Sequence, residues 1–175
     1  IDRPHALISL LTSSAKSPTG KLLMSASNSF VFDEPLKNQP EIIHEMWDNN
    51  MHLMKFTKKL SQSENYRFGI VGATLSSANY SDPLNESQRL AIFARLQGLD
   101  TLIAMHNKTW DNLWSSDIII TGDPQSQQDI HNMMYHLYSF VREGSDNSMS
   151  PMGLSGLGYN GHVFWDSEIW MYPAI

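Results

Sequence analysis

The segment Gly153–Pro173 concentrates residue types from which a binding site can be built. Glycines at 153, 156, 158 and 161 let the backbone come close to a ligand or a neighbouring element. Beyond them, Trp165 is followed directly by Asp166. That pair suits a sugar. An indole face covers the apolar face of a pyranose, and a carboxylate accepts hydrogen bonds from two hydroxyls. The plainer reading of the same residues is the start of a buried helix. Asp166 and Glu168 could also be read as a carboxylate pair for acid and base work. Two residues apart on a helix they point to different sides, so no catalytic dyad is expected from them. His131 and His136 stand five apart, whereas helical metal-binding histidines prefer four, so no metal site is expected.

Three zones of different period position these residues. The first, up to about Asp82, favours strands. Ala6–Thr12 is a short apolar run, and Lys16–Gly20 carries the Pro and Gly of a turn. Leu22–Phe32 mixes Ser with apolar residues and ends as a strand over Ser29–Phe32. Pro35–Pro40 reads as a loop and Met51–Leu60 as a strand. Tyr66–Leu75 is the clearest strand, with two glycines that allow a bulge or a close approach. Glu41–Trp47 is ambiguous, with a helix as the alternative to a strand. The second zone is helical from Asn85, read as a cap with Glu86 in the first turn, to about Trp114. Its apolar residues, among them Leu90, Phe93 and Leu96, recur at mixed three- and four-residue spacing. His106, Trp110 and Trp114 fall on one helix face, and that stripe reads as core packing. In the third zone the β-branched run Ile118–Thr121 is closed by Gly122-Asp123-Pro124. A helix over Gln125–Val141 follows, then a loop over Glu143–Gly161 and an apolar run from His162.

Composition narrows the function classes. Across 175 residues, 41% are apolar and 17% charged, with five Trp, ten Met and no Cys. This excludes intrinsic disorder, a disulfide scaffold and a cysteine-ligated zinc site. A chain of this length can bury roughly 70% of its unfolded surface. The formal charge of −6 argues against a dedicated nucleic-acid binder. No apolar run approaches the ~20 residues that cross a bilayer, so no membrane partner is expected. Sequons at Asn79, Asn85 and Asn107 are close to what this composition yields by chance and decide nothing about secretion. Absence of Cys fits an exported bacterial protein and equally a cytosolic one, so the compartment stays open, with periplasmic or extracellular placed first. The start at Ile1, without initiator Met or signal peptide, and the apolar end Glu168–Ile175 lead to the expectation of a piece of a larger protein. The remainder of that polypeptide, or a partner chain, would then cover the apolar end.

Gly153–Pro173 closely resembles a signature of glycoside hydrolase family 65, which contains maltose, trehalose and kojibiose phosphorylases, acid trehalases and related α-glucoside hydrolases. Gly161-His-Val-Phe-Trp-Asp-Ser-Glu-Ile169 is its most specific part. Upstream, His106–Trp114 with Asp117, Ile118, Ile120 and Gly122-Asp123 looks like the family's approach to its barrel. Ser25–Phe30 and Tyr66–Val71 look like strands of its N-terminal domain.

The resemblance implies an α+β chain with three parts. Residues 1–84 would end an N-terminal β-sandwich, 85–123 would form a helical linker, and 124–175 would begin an (α/α)6 catalytic barrel. It implies inverting cleavage of α-glucosidic disaccharides or oligosaccharides, with a Glu as general acid. In hydrolases a second carboxylate activates water, while in phosphorylases inorganic phosphate attacks the anomeric carbon. By matching position, Trp165 would be the sugar platform and Asp166 the hydroxyl acceptor. Tyr159, His162 and Phe164 would be secondary pocket residues. For His162 the plainer reading is a hydrogen-bonded packing residue, and for Glu168 a structural role. No residue here matches the family's acid, base or phosphate loop, so no catalytic residue and no cofactor is assigned. The chain alone is expected to be inactive. The ending Ile169-Trp-Met-Tyr-Pro173 looks more like the hydrolases than the phosphorylases. A phosphorylase releasing glucose 1-phosphate and a non-catalytic carbohydrate-binding fragment are the alternatives.

Overall fold

The computed structural model describes residues 8–47, 51–141, 148–154, 156 and 158–174. Ala6 and Leu7 of the first apolar run, residues 142–147, Ser155 and Leu157 of the expected loop, and Ile175 lie outside them. The fold is α+β. Strands β1 (Leu11–Lys16), β2 (Leu23–Phe32) and β5 (Phe68–Ser76) form an antiparallel sheet in the order β1-β2-β5. Strands β3 (Ile42–Trp47) and β4 (Met51–Phe56) form a separate antiparallel pair. Helices α1 (Pro83–Gln97), α2 (Leu99–Leu113) and α3 (Pro124–Phe140) follow. The chain divides into two compact units, Ile1–Asn107 and Lys108–Ile175, with the division falling inside α2.

In the first unit the period-2 alternation of β2 separates two chemistries. Ser25, Ser27, Ser29 and Val31 share one face, and all four are buried. Against them α1 lays Pro83, Ser87, Ala91 and Arg95, one turn apart and all buried. Small side chains let the helix approach the strand, and each buried hydroxyl keeps a partner. Ser87 Oγ lies 3.1 Å from Ser25 Oγ and 2.9 Å from Ser27 Oγ. Arg95 donates to Ser29 Oγ at 3.2 Å, to Gln39 Oε1 at 2.6 Å and to the Phe30 carbonyl. Burial lowers the Arg95 pKa from its ordinary value, because the charged form loses hydration. Phe93 and Leu96, counted toward the helix's apolar spacing, are instead exposed. The opposite face of β2 carries Phe30 and Phe32. Their rings meet Phe56 of β4 edge-on, each at 4.9 Å between centroids. Phe56 thereby ties the β3–β4 pair to the larger sheet.

Several boundaries differ from the sequence reading for identifiable reasons. Ile42–Trp47 is a strand, because it finds a full antiparallel partner in Met51–Phe56. The α1 cap is Asp82, whose carboxylate accepts the Asn85 N–H at 3.1 Å; Asn85 sits inside the first turn. The expected single helix over 85–114 breaks at Gly98, whose φ of 78° is left-handed, so α1 and α2 are separate. At Gly69 of β5 an added Cβ would lie 2.5 Å from Leu99 Cδ2, so a side chain there would displace the tip of Leu99.

In the second unit Ile118–Thr121 pairs with no strand among the described residues, and Ile119 is 78% exposed. The Gln127 side chain substitutes for a strand partner. Its Oε1 accepts the Ile120 N–H at 2.6 Å and its Nε2 donates to the Ile118 carbonyl at 2.9 Å. Asp123 caps α3 through the N–H groups of Gln125 and Ser126. The Trp stripe packs on α3 and is half-buried: Trp110 stacks on Tyr135 at 4.9 Å, and Trp114 meets Tyr138 at 5.8 Å and His131 at 5.2 Å. His106 of that stripe is exposed.

Candidate functional site

The residues singled out for sugar binding lie on one strap, 158–173, of the second unit. It starts with a tight reversal. Tyr159 (φ 57°, ψ 11°), Asn160 (φ 51°, ψ 30°) and Gly161 (φ 74°) are successive left-handed residues. For an aromatic side chain that conformation is costly, and such outliers cluster at functional sites. The Tyr159 carbonyl accepts two hydrogen bonds from His162, one from its backbone N–H at 2.9 Å and one from its ring Nδ1 at 2.7 Å. The reversal folds the Tyr159 ring onto Phe164, edge to face, with centroids 5.5 Å apart and planes at 78°.

Immediately beyond come Trp165 and Asp166, on the turn that opens a π-helical turn over Ser167–Met171 and a 3-10 turn over Tyr172–Ala174. The Phe164 and Trp165 carbonyls accept the N–H groups of Ser167 (3.2 Å) and Glu168 (3.1 Å). Ser167 anchors the strap: it is 1% exposed, and its hydroxyl donates to the Met149 carbonyl at 2.9 Å. The sequence reading did not single out Ser167. Its signal was a small polar residue between the acidic Asp166 and Glu168 at a helix start, which only tertiary packing turns into an anchor.

The structure thus brings Tyr159 into contact with both His162 and Phe164 and sets Trp165 and Asp166 next along the backbone. Trp165 is 68% exposed and Tyr159 62%, while Asp166 is half-buried. An exposed indole can cover a pyranose, and a carboxylate next to it in sequence can accept hydroxyls. Glu168 is exposed, and helical backbone between it and Asp166 separates the directions of the two carboxylates. Among the described residues no group of three His, Asp or Glu side chains could hold a metal. His131 is engaged with Asp117 Oδ1 at 2.9 Å and with Gln127 Nε2 at 2.7 Å. Next to the strap, α3 and 151–154 enclose an open apolar groove of about 310 Å³, lined by Met133, Leu137, Phe140, Met152 and Met171 among others.

Residues 131–175 match the Glycosyl hydrolase family 65 central catalytic domain. A kojibiose hydrolase from Mucilaginibacter mallensis is 59% identical over all 175 residues, and one from Flavobacterium johnsoniae is 54% identical over the same span. The chain spans 26% of the length of each of these two relatives. A kojibiose phosphorylase from Thermoanaerobacter brockii is 39% identical over 79 residues, 44% of this chain and 10% of the relative. The chain belongs to glycoside hydrolase family 65.

Proposed function

We propose that this chain is part of an inverting α-glucoside hydrolase that cleaves kojibiose or a similar glucosyl disaccharide, and that its strap forms one wall of the glucose subsite. The observation that carries the hydrolase reading is the identity of the matches. The kojibiose hydrolases are 59% and 54% identical over all 175 residues, whereas a nigerose phosphorylase is 27% identical over 144 and the kojibiose phosphorylase 39% over 79. In this reading Trp165 is the platform for the transferred glucose and Asp166 accepts its hydroxyls. Tyr159, Phe164 and His162 flank them. Residues 1–84 end a β-sandwich, 85–123 link, and 124–175 begin an (α/α)6 barrel. The antiparallel sheets of the first unit and the helices that follow support that arrangement.

The chemistry divides accordingly. The strap binds and orients the sugar, and holding the glucosyl ring in place lowers the entropic part of the barrier. Proton transfer to the leaving oxygen and activation of water fall to two carboxylates outside this chain. Inversion then converts the α-linkage to β-glucose.

The test uses the intact protein with kojibiose in phosphate-free buffer, with the products followed by proton NMR. Glucose released initially as the β-anomer, at a rate indifferent to added phosphate, is the expected result. Cleavage that requires phosphate and yields glucose 1-phosphate would move the protein to the phosphorylases. Binding of kojibiose without cleavage under either condition would leave a carbohydrate-binding role.

A further inference from the structure

We infer that His162 is a positioning residue whose ring N–H clamps the left-handed turn at Tyr159 and so holds the Tyr159–Phe164 flank of the sugar platform. The inference rests on the glucose-subsite reading of the strap.

Geometry identifies the clamp. The Tyr159 carbonyl has no hydrogen to give, so His162 Nδ1, 2.7 Å away, must carry the proton. The same carbonyl also takes the His162 backbone N–H at 2.9 Å, so one residue satisfies both lone pairs of one oxygen. The turn they close is strained, with Tyr159 and Asn160 at φ 57° and 51°. A strained turn persists only where its surroundings over-determine it. Before the turn, Gly158 packs near the Met152 side chain, where an added Cβ would sit 3.0 Å from Cγ. At the turn itself, the His162 clamp is the contact that holds it. What the clamp fixes is the edge-to-face contact of Tyr159 with Phe164, at 5.5 Å, one residue before Trp165. The ring of His162 is itself exposed, so its hydrogen bond contributes little to burying a core. Its consequence is where two neighbouring aromatics stand.

Three substitutions in the intact protein separate the ring's two nitrogens. Asn places an amide N–H near the position of Nδ1, Gln reaches the position of Nε2, and Ala provides neither. Measurements are KM and kcat for kojibiose, Tm, and deuterium uptake of the peptide spanning residues 158–164. H162A is expected to raise KM roughly tenfold, the equivalent of one net hydrogen bond. It should also speed exchange in that peptide and leave Tm unchanged. H162N is expected to restore KM to within about threefold of wild type and to restore protection, while H162Q restores neither. Rescue by Gln and not by Asn would overturn the clamp in favour of direct contact through Nε2. Equal behaviour of all three variants, or KM changes that merely track losses in Tm, would overturn it too. If the wild-type protein neither binds nor cleaves kojibiose, the subsite reading fails separately. The clamp is then decided by the exchange series: protection with Asn and loss with Ala and Gln upholds it, and uniform exchange overturns it.

Discussion

In the first unit, Phe30 and Phe32 are buried and turn their rings onto Phe56, with Ser25, Ser27 and Ser29 sealed under α1 on the other face. In the strap of the second unit, Trp165 and Trp170 are 68% and 72% exposed, and the buried anchor is a serine, Ser167. Residue type alone would have assigned the opposite: serines outside, aromatics inside. What decides is whether a polar group finds a partner and whether a ring finds a face. In the first unit the serine hydroxyls find one another and Arg95. In the strap, a left-handed turn and the anchored Ser167 hydroxyl stand beside exposed rings. On the proposed reading, the first arrangement builds stability and the second presents a surface to the sugar.

Substitutions in the two regions should therefore separate stability from sugar binding. The largest effect on folding is expected from Phe30→Ala, which removes a buried ring touching Phe32, Phe56 and Phe68. Denaturant unfolding should show a loss of about 3–5 kcal/mol. Ala91→Leu comes next. Ala91 is buried between α1 and the sheet, and overpacking there should cost about 1–3 kcal/mol by the same assay. Ser167→Ala is the mixed case. It strands the Met149 carbonyl, at about 1–3 kcal/mol, and because Ser167 adjoins Asp166 it should also raise KM for kojibiose. A Ser167→Ala protein with wild-type stability would show that the anchor carries no load.

The smallest effect concerns the helix caps. Hydrogen bonds from the Ser126 hydroxyl, the Ser126 N–H and the Gln125 N–H hold the Asp123 carboxyl below its ordinary pKa of 3.8, and the Asn85 N–H does the same for Asp82. A lowered folded pKa means the cap's contribution is complete above the ordinary value and disappears as pH falls through the lowered one. Asp123→Asn keeps an acceptor but nothing that titrates. Its helical signal by circular dichroism should fall less steeply than wild type below about pH 4. An unchanged acid limb would exclude Asp123 as its source.

The strands Leu22–Phe32 and Tyr66–Leu75 were legible because local alternation and tertiary pairing agree there. The Gln125–Val141 helix was legible through its period and its Gly-Asp-Pro start. Ile42–Trp47 was not, because its local pattern suits both periods and only β4 decides. The face that α1 buries was hidden as well: Ser87, Ala91 and Arg95 form no apolar stripe, and their burial depends on serines sixty residues away in sequence. At the site, Trp165 and Asp166 stood out by chemistry and by resemblance. The left-handed Tyr159 did not, since nothing local marks an aromatic residue for that conformation.

On the proposed reading, the exposed Trp165 serves sugar recognition and not folding. Its most direct measurement is Trp165→Ala in the intact protein, with Tm and KM for kojibiose taken on the same preparation. An unchanged Tm and a KM raised about tenfold, the stacking free energy of one ring, are expected. A lowered Tm with an unchanged KM would contradict it.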